Sequence, residues 1–183
     1  PPFVETVGLE IDATPMRITS VAGGFPSSQT FLEVKMLEVA MAIENGADEV
    51  DIVLNVGKML TGKYDEAANE VEVLRAESSD AILKTILETG ALKTPEHIRM
   101  ASLLAMEAGS DFIKTSTGFS TAGATFADVE LFAKHVGPNV KIKAAGGISS
   151  MADAEKFIEL GASRLGTSRI VKIVKNESSN DKY

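Results

Sequence analysis

The sequence predicts an α/β fold in which parallel strands alternate with helices, and three observations carry that prediction. Six short apolar runs are separated by segments with helical spacing. A junction recurs at Glu44-Asn45-Gly46-Ala47-Asp48-Glu49-Val50, Glu107-Ala108-Gly109-Ser110-Asp111-Phe112-Ile113 and Glu159-Leu160-Gly161-Ala162-Ser163-Arg164-Leu165, each ending a helix on glycine and opening a strand. Two of the runs, Phe112-Ile113-Lys114 and Val140-Lys141-Ile142-Lys143, carry a lysine just before small residues and glycines. A barrel and a doubly wound sheet both satisfy this pattern, and both place chemistry at the carboxyl ends of their strands.

In chain order, residues 1–14 show no clean period, though Phe3, Val4 and Val7 suit a short helix face. Met16 to Val21 alternates as a strand does and runs into the Gly23-Gly24-Phe25-Pro26 loop. From Thr30 to Asn45 the residues Val34, Leu37 and Met41 fall at helical spacing, with Met36, Val39 and Ile43 widening the apolar face. A strand over Glu49 to Leu54 follows. A helix from Tyr64 to Glu77, a strand from Ala81 to Leu87 and a Glu88-Thr89-Gly90 loop come next.

Thr94-Pro95-Glu96 starts a helix that runs to Ala108, with a capping hydroxyl and a proline at the first helical position. Thr125-Phe126-Ala127-Asp128 opens another, ending before Gly137-Pro138. Ser150 caps a helix from Met151 to Leu160, and Arg164 to Thr167 forms the last strand. After Lys175 the composition turns polar, so 1–175 reads as one domain and 176–183 as a flexible tail. Six strands are two short of a complete eight-unit barrel, which takes about 200 residues even at its shortest.

The 183 residues, 44% hydrophobic and 24% charged, suit one globular domain. A net charge of -8 and a pI near 4.8 disfavour a nucleic-acid partner. With no cysteine, disulfides and thiolate metal sites are excluded, and a cytoplasmic location is expected. No apolar stretch approaches membrane-spanning length. His97 and His135 lack ligand-spaced companions and read as solvated helix residues.

Side chains alternate along a strand, so Glu49, Asp51 and Val53 share one face, as do Lys141 and Lys143. If those faces line a barrel interior, they and Lys84 and Lys114 form a buried polar network. Taken singly, Glu49, Lys84 and Lys141 are expected to face helices or solvent at strand ends. Lys114, Lys143 and Asp51 are expected to be functional, because each precedes a loop at the chemical end of the sheet. A lysine attacks a carbonyl only as the neutral amine, and a neighbouring ammonium favours that form. Gly146-Gly147 and Gly166-Thr167-Ser168 end adjacent strands and are candidates to hold a phosphate with backbone N–H groups.

Lys114-Thr115-Ser116-Thr117-Gly118, Lys143-Ala144-Ala145-Gly146-Gly147, Glu49-Val50-Asp51, Glu88-Thr89-Gly90 and Gly166-Thr167-Ser168 together resemble the deoxyribose-phosphate aldolases, from about Pro1 to Val174. The resemblance implies a (β/α)8 TIM-barrel type fold, incomplete here with about six strands, since the family's amino-terminal segment has no counterpart before Pro1. It implies a class I aldolase that reversibly cleaves 2-deoxy-D-ribose 5-phosphate to glyceraldehyde 3-phosphate and acetaldehyde. Lys114 would form the Schiff base, Lys143 lower its pKa and Asp51 join in proton transfer, with no metal and no cofactor. The implied partners are a phosphorylated sugar and aldehydes, with neither nucleic acid nor membrane, and homo-oligomer formation is left open. Some family members have a lysine where this chain has Phe119, which shifts the expected phosphate contacts to the glycine loops and Arg169. Others use a carboxyl-terminal tyrosine as a proton carrier, a role that Tyr183 would take unless the tail is idle. The alternative is a catalytically inactive barrel fragment that needs a complementary segment or self-association.

Overall fold

Glycine at the end of one helix launches the next strand, and that device sets the rhythm of the chain. In the computed structural model, which describes residues 1–78 and 81–175, Gly46, Gly109 and Gly161 have φ of +100°, +86° and +112°. This is the left-handed region that glycine enters without a Cβ penalty. The next residue's N–H then turns back onto a helix carbonyl: Ala47 to Ala42, Ser110 to Ala105 and Ala162 to Phe157, at 2.9–3.1 Å. Carbonyls left over by the helix are satisfied, and the chain leaves in strand direction.

The elements are α1 (Val4–Ile11), β1 (Thr19–Val21), α2 (Leu32–Glu44), β2 (Glu49–Val53), α3 (Val56–Leu60), α4 (Tyr64–Glu77), β3 (Ile82–Ile86), α5 (Thr89–Leu92), α6 (Pro95–Glu107), β4 (Phe112–Lys114), α7 (Phe126–His135), β5 (Lys141–Ala145), α8 (Met151–Glu159), β6 (Arg164–Gly166) and α9 (Arg169–Val174). All strand pairs are parallel, and the sheet order β1-β2-β3-β4-β5-β6 is the chain order. The expected strand at Met16–Val21 is shorter because only Thr19–Val21 pairs with β2, while the Ile18 N–H donates to Asp48 Oδ2 at 2.7 Å.

Register separates the two faces of the sheet. Val50, Ile52, Leu83, Ile113, Ile142 and Ala144 point towards the helices and join Val39, Leu104, Val129, Phe132 and Phe157 in one core. Each large aliphatic or aromatic side chain buried there contributes about 1.5–3 kcal/mol. The other face holds Glu49, Asp51, Lys84, Lys114, Lys143 and Arg164, and the sheet curls around it. Asp51 on β2 and Lys143 on β5 would stand about 14 Å apart across three strand steps of a flat sheet, yet their side chains meet at 2.8 Å. Glu49 on β2 and Arg164 on β6 are also paired, across four strand steps. The sheet is therefore six strands of a barrel-type wall, and the outer edges of β1 and β6 have no strand partner among the described residues.

The sequence-derived helix starts are present. Thr94, Thr125 and Ser150 accept hydrogen bonds from the N–H groups of His97, Asp128 and Asp153, and Ser150 with Asp153 completes a reciprocal capping box. Helix α2 departs from expectation. Val34, Leu37 and Met41 are exposed, and the inward face is Lys35, Val39 and Ala42. The fully buried Lys35 ammonium reaches Ser28 Oγ at 2.8 Å and Glu70 Oε2 at 2.7 Å, and these partners let a lysine take the core-facing position. In α1 only Val4 is buried, while Phe3 and Val7 face outward. His97 and His135, expected as solvated helix residues, are half-buried and bond within their own helical neighbourhoods. No helix among the described residues is long and apolar enough to cross a membrane. Tyr183 and the expected tail 176–183 lie outside the described residues.

Candidate active site

Strand periodicity brings the charged residues of the interior face together. Asp51 lies in the middle of β2, and register aligns it with Lys84 on β3, while Lys114 at the end of β4 aligns with Lys143 on β5. Lys114 Nζ and Lys143 Nζ both donate to Asp51 Oδ2, each at 2.8 Å, and Lys84 Nζ donates to Oδ1 at 2.7 Å. The carboxylate is 1% exposed and binds three ammonium groups at once. Below it, Lys84 Nζ also meets Glu49 Oε2 at 2.7 Å, and Glu49 accepts from Arg164 and from Thr19 Oγ1.

Glu49 and Lys84 therefore do not face helices or solvent; both are fully buried inside the curl. Each is tolerated there because the other neutralises it. Lys141 is exposed, with its ammonium 5.7 Å from the centre of the Phe112 ring.

The charge balance tunes the group. Burial raises the Asp51 carboxyl, but the Lys114, Lys143 and Lys84 ammoniums outweigh it and hold it well below the usual carboxylate range. Burial likewise raises Glu49, and the Lys84 and Arg164 contacts bring it down to about 2. Burial pushes the Lys143 ammonium down, Asp51 opposes, and the charge of Lys114 adds to the depression, leaving Lys143 at about 8. Lys143, held on the same Asp51 oxygen as Lys114, is thus readier to shed its proton than an ordinary lysine.

Above the network opens a cavity of about 490 Å³ lined by both lysines, by Gly146, Gly147, Gly166, Thr167, Ser168 and Arg169, and by the loop from Thr117 to Gly123. All five candidate phosphate-holding residues thus border one space with the two lysines. Their backbone roles differ: Gly146 donates its N–H to Gly166 O at 3.2 Å, so its contribution is the turn it makes at φ +79°. Thr167 Oγ1 is engaged with Ile148 O.

Sequence reasoning reached the opposite wall only at Thr117-Gly118, within the Lys114 to Gly118 motif, and missed the rest of it, above all Gly123. A Cβ there would sit 2.5 Å from the Gly146 carbonyl carbon, so a glycine is needed for the two loops to touch. The small-residue run Thr121-Ala122-Gly123-Ala124 is the available signal. Among the described residues no group of three or more His, Asp or Glu side chains is gathered in a way that could hold a metal ion.

Comparison with known proteins adds ancestry to this geometry. Residues 6–168 match the model of the DeoC/LacD family aldolases. The chain belongs to that aldolase family. A deoxyribose-phosphate aldolase of Streptococcus pyogenes serotype M12 is 55% identical over 161 residues, which are 87% of this chain and 72% of the relative. Among solved structures, the aldolase QR15 superposes with a TM-score of 0.89 at 36% identity, over 96% of this chain and 78% of that one. A tetrameric deoxyribose phosphate aldolase from Aeropyrum pernix gives 0.82 at 30% identity, over 96% and 74%. The expected fold and family are both borne out, and the chain is an aldolase domain, a carbon–carbon lyase, of the deoxyribose-phosphate aldolase family.

Proposed function

We propose that this aldolase reversibly cleaves 2-deoxy-D-ribose 5-phosphate into glyceraldehyde 3-phosphate and acetaldehyde through a Schiff base on Lys114. The observation that carries the reading is two lysine nitrogens on one oxygen of Asp51, at the floor of a cavity walled by glycine loops.

Lys143, with its proton released at about pH 8, accepts the proton that Lys114 must lose, and Asp51 Oδ2 lies between donor and acceptor. The neutral Lys114 amine adds to the C1 carbonyl carbon of the open-chain sugar. The resulting carbinolamine hydroxyl takes a proton and leaves as water, giving a protonated imine. That imine draws the electron pair of the C2–C3 bond as the C3 hydroxyl gives up its proton. Glyceraldehyde 3-phosphate departs and an enamine of acetaldehyde remains on Lys114. Protonation of the enamine carbon and hydrolysis of the imine release acetaldehyde and restore the amine. The phosphate end lies against the Gly147, Gly166, Thr167 and Ser168 side of the cavity, with Arg169 at its border.

Borohydride reduction in the presence of acetaldehyde, followed by peptide mass mapping, tests this reading. The adduct is expected on Lys114 and is expected to vanish in Lys114→Leu; an adduct on Lys143 alone would replace Lys114 as the nucleophile. A second reading is favoured by the unpaired edges of β1 and β6 among the described residues: a barrel piece that is inactive until a complementary segment or a second copy covers those edges. Specific activity that does not change with protein concentration, from a monomer, eliminates it.

A further inference from the structure

Glu88 lies outside the charge network and is used by none of the steps above, yet it is 6% exposed and has backbone angles of φ +56° and ψ +59°. A non-glycine residue in the left-handed region is held there by its surroundings at a cost of about 1–3 kcal/mol. Glu88 occupies the N-cap position of α5, where a carboxylate ordinarily turns back onto the helix's own N–H groups. It makes no such bond. Its carboxylate instead leaves β3 for the loop that follows Lys114 on β4. Thr117 Oγ1 donates to Glu88 Oε2 at 2.5 Å, and the Thr117 N–H donates to Oε1 at 3.3 Å.

Thr117 Oγ1 accepts in turn from the Phe119 N–H at 3.1 Å, which closes the turn around Gly118 at φ +90°. The Phe119 ring then meets Phe25, from the loop after β1, edge to face at 5.6 Å between centroids. Neighbouring hydroxyls take no part in this link, since Thr89 Oγ1, at the start of α5, and Ser116 Oγ, beside Thr117, are buried without a hydrogen-bond partner.

We infer that Glu88 is a positioning residue for substrate binding: by gripping Thr117 through both carboxylate oxygens it sets the shape of the loop from Thr117 to Gly123, the wall that faces the glycine loops. The inference rests on the proposed deoxyribose 5-phosphate cleavage. Lys114 itself is fixed by β4 pairing and by Asp51, so the grip acts on the phosphate-bearing end of the substrate and leaves the amine in place.

The test compares wild type with Glu88→Ala, Glu88→Gln and Thr117→Val, reading KM and kcat for 2-deoxyribose 5-phosphate cleavage, acetaldehyde trapping on Lys114, and thermal unfolding. Glu88→Ala and Thr117→Val are each expected to raise KM by about tenfold or more, the scale of a lost hydrogen bond to a carboxylate. In the Glu88 variants, trapping by acetaldehyde should stay within about twofold of wild type, since Glu88 does not line the cavity that this small substrate enters. Glu88→Gln, which keeps an acceptor for the Thr117 hydroxyl, should recover part of the KM loss, and the double variant Glu88→Ala with Thr117→Val should be no worse than either single one. An unchanged KM in folded variants, KM and trapping lost in proportion, or additive effects in the double variant would each overturn the inference. If Glu88→Ala fails to fold, Glu88→Gln and Thr117→Val carry the same comparison. Absence of an adduct in wild type would instead sink the Schiff-base reading, so the two failures are distinguishable.

Discussion

Replacing Lys143 with methionine removes one ammonium from the three that crowd Asp51 while keeping most of the side chain's volume. Lys143 is depressed from its ordinary 10.5 to about 8, and its side chain is 12% exposed. At about 1.4 kcal/mol per unit, carrying that proton in the folded state costs about 3 kcal/mol. Below pH 8 both folded and unfolded chains hold it and the whole cost is present. Between about pH 8 and 10.5 the folded chain has released the proton and the unfolded chain has not, so the wild-type contribution rises with pH. Above 10.5 neither holds it and the cost is gone. Urea unfolding of both proteins at pH 7 and pH 10.5 therefore should show the stability difference, variant minus wild type, falling by about 3 kcal/mol between the two. Packing differences between lysine and methionine cancel in that comparison. The same variant should lose about 10²–10⁴ in kcat, the usual span for a general acid–base group, together with the rise in wild-type rate near pH 8. A stability difference that is flat with pH, or a variant that keeps the limb near pH 8, would refute the assignment of that proton to Lys143.

Two further outcomes follow from contacts described above. Gly123→Ala places a methyl group 2.5 Å from the Gly146 carbonyl carbon and 2.8 Å from Gly147 N, so one of the two loops must move; a rise in KM for the phosphorylated substrate of about tenfold or more is expected by steady-state kinetics, from displacement of about an ångström at the site. The Glu49 carboxyl, lowered from 4.5 to about 2, contributes about 3 kcal/mol that is present above pH 4.5 and lost as pH falls through 2; Glu49→Gln should be less stable than wild type at pH 7, with the gap closing by pH 2 in acid titrations followed by circular dichroism.

Much of this molecule is legible in its sequence, and the illegible parts have physical causes. Strand alternation puts Asp51 on one face with Glu49 and Lys143 on one face with Lys141, and the glycine junctions mark where strands begin, because both depend on local geometry alone. What alternation lacks is curvature. Only the rolled sheet brings β2 to β5 and β6, so Glu49 and Lys84, unremarkable singly, turn out to be the buried foundation of the site. Helices α3, α5 and α9 have 5, 4 and 6 residues, too few for a helical period to register. Helix α2 misleads for the opposite reason: apolar residues occupy both of its faces, and the choice between them is made by Ser28 and Glu70, which receive the buried Lys35. The wall from Thr117 to Gly123 has no period at all, and its place is set by tertiary contacts, that of Gly123 with Gly146 and that of Thr117 with Glu88.

Because the sheet order repeats the order of synthesis, each βα unit can dock on one that has already left the ribosome. The charges then arrive on a schedule. Glu49 and Asp51 come first, and Lys84 joins them 33 residues after Asp51. Lys114 follows at 63 residues and Lys143 at 92, and Arg164 reaches Glu49 only after 115. A nascent chain passes from an excess of carboxylate to an excess of positive charge as it lengthens, and the burial that, with the charge of Lys114, depresses Lys143 comes into being only when β5 takes its place in the wall.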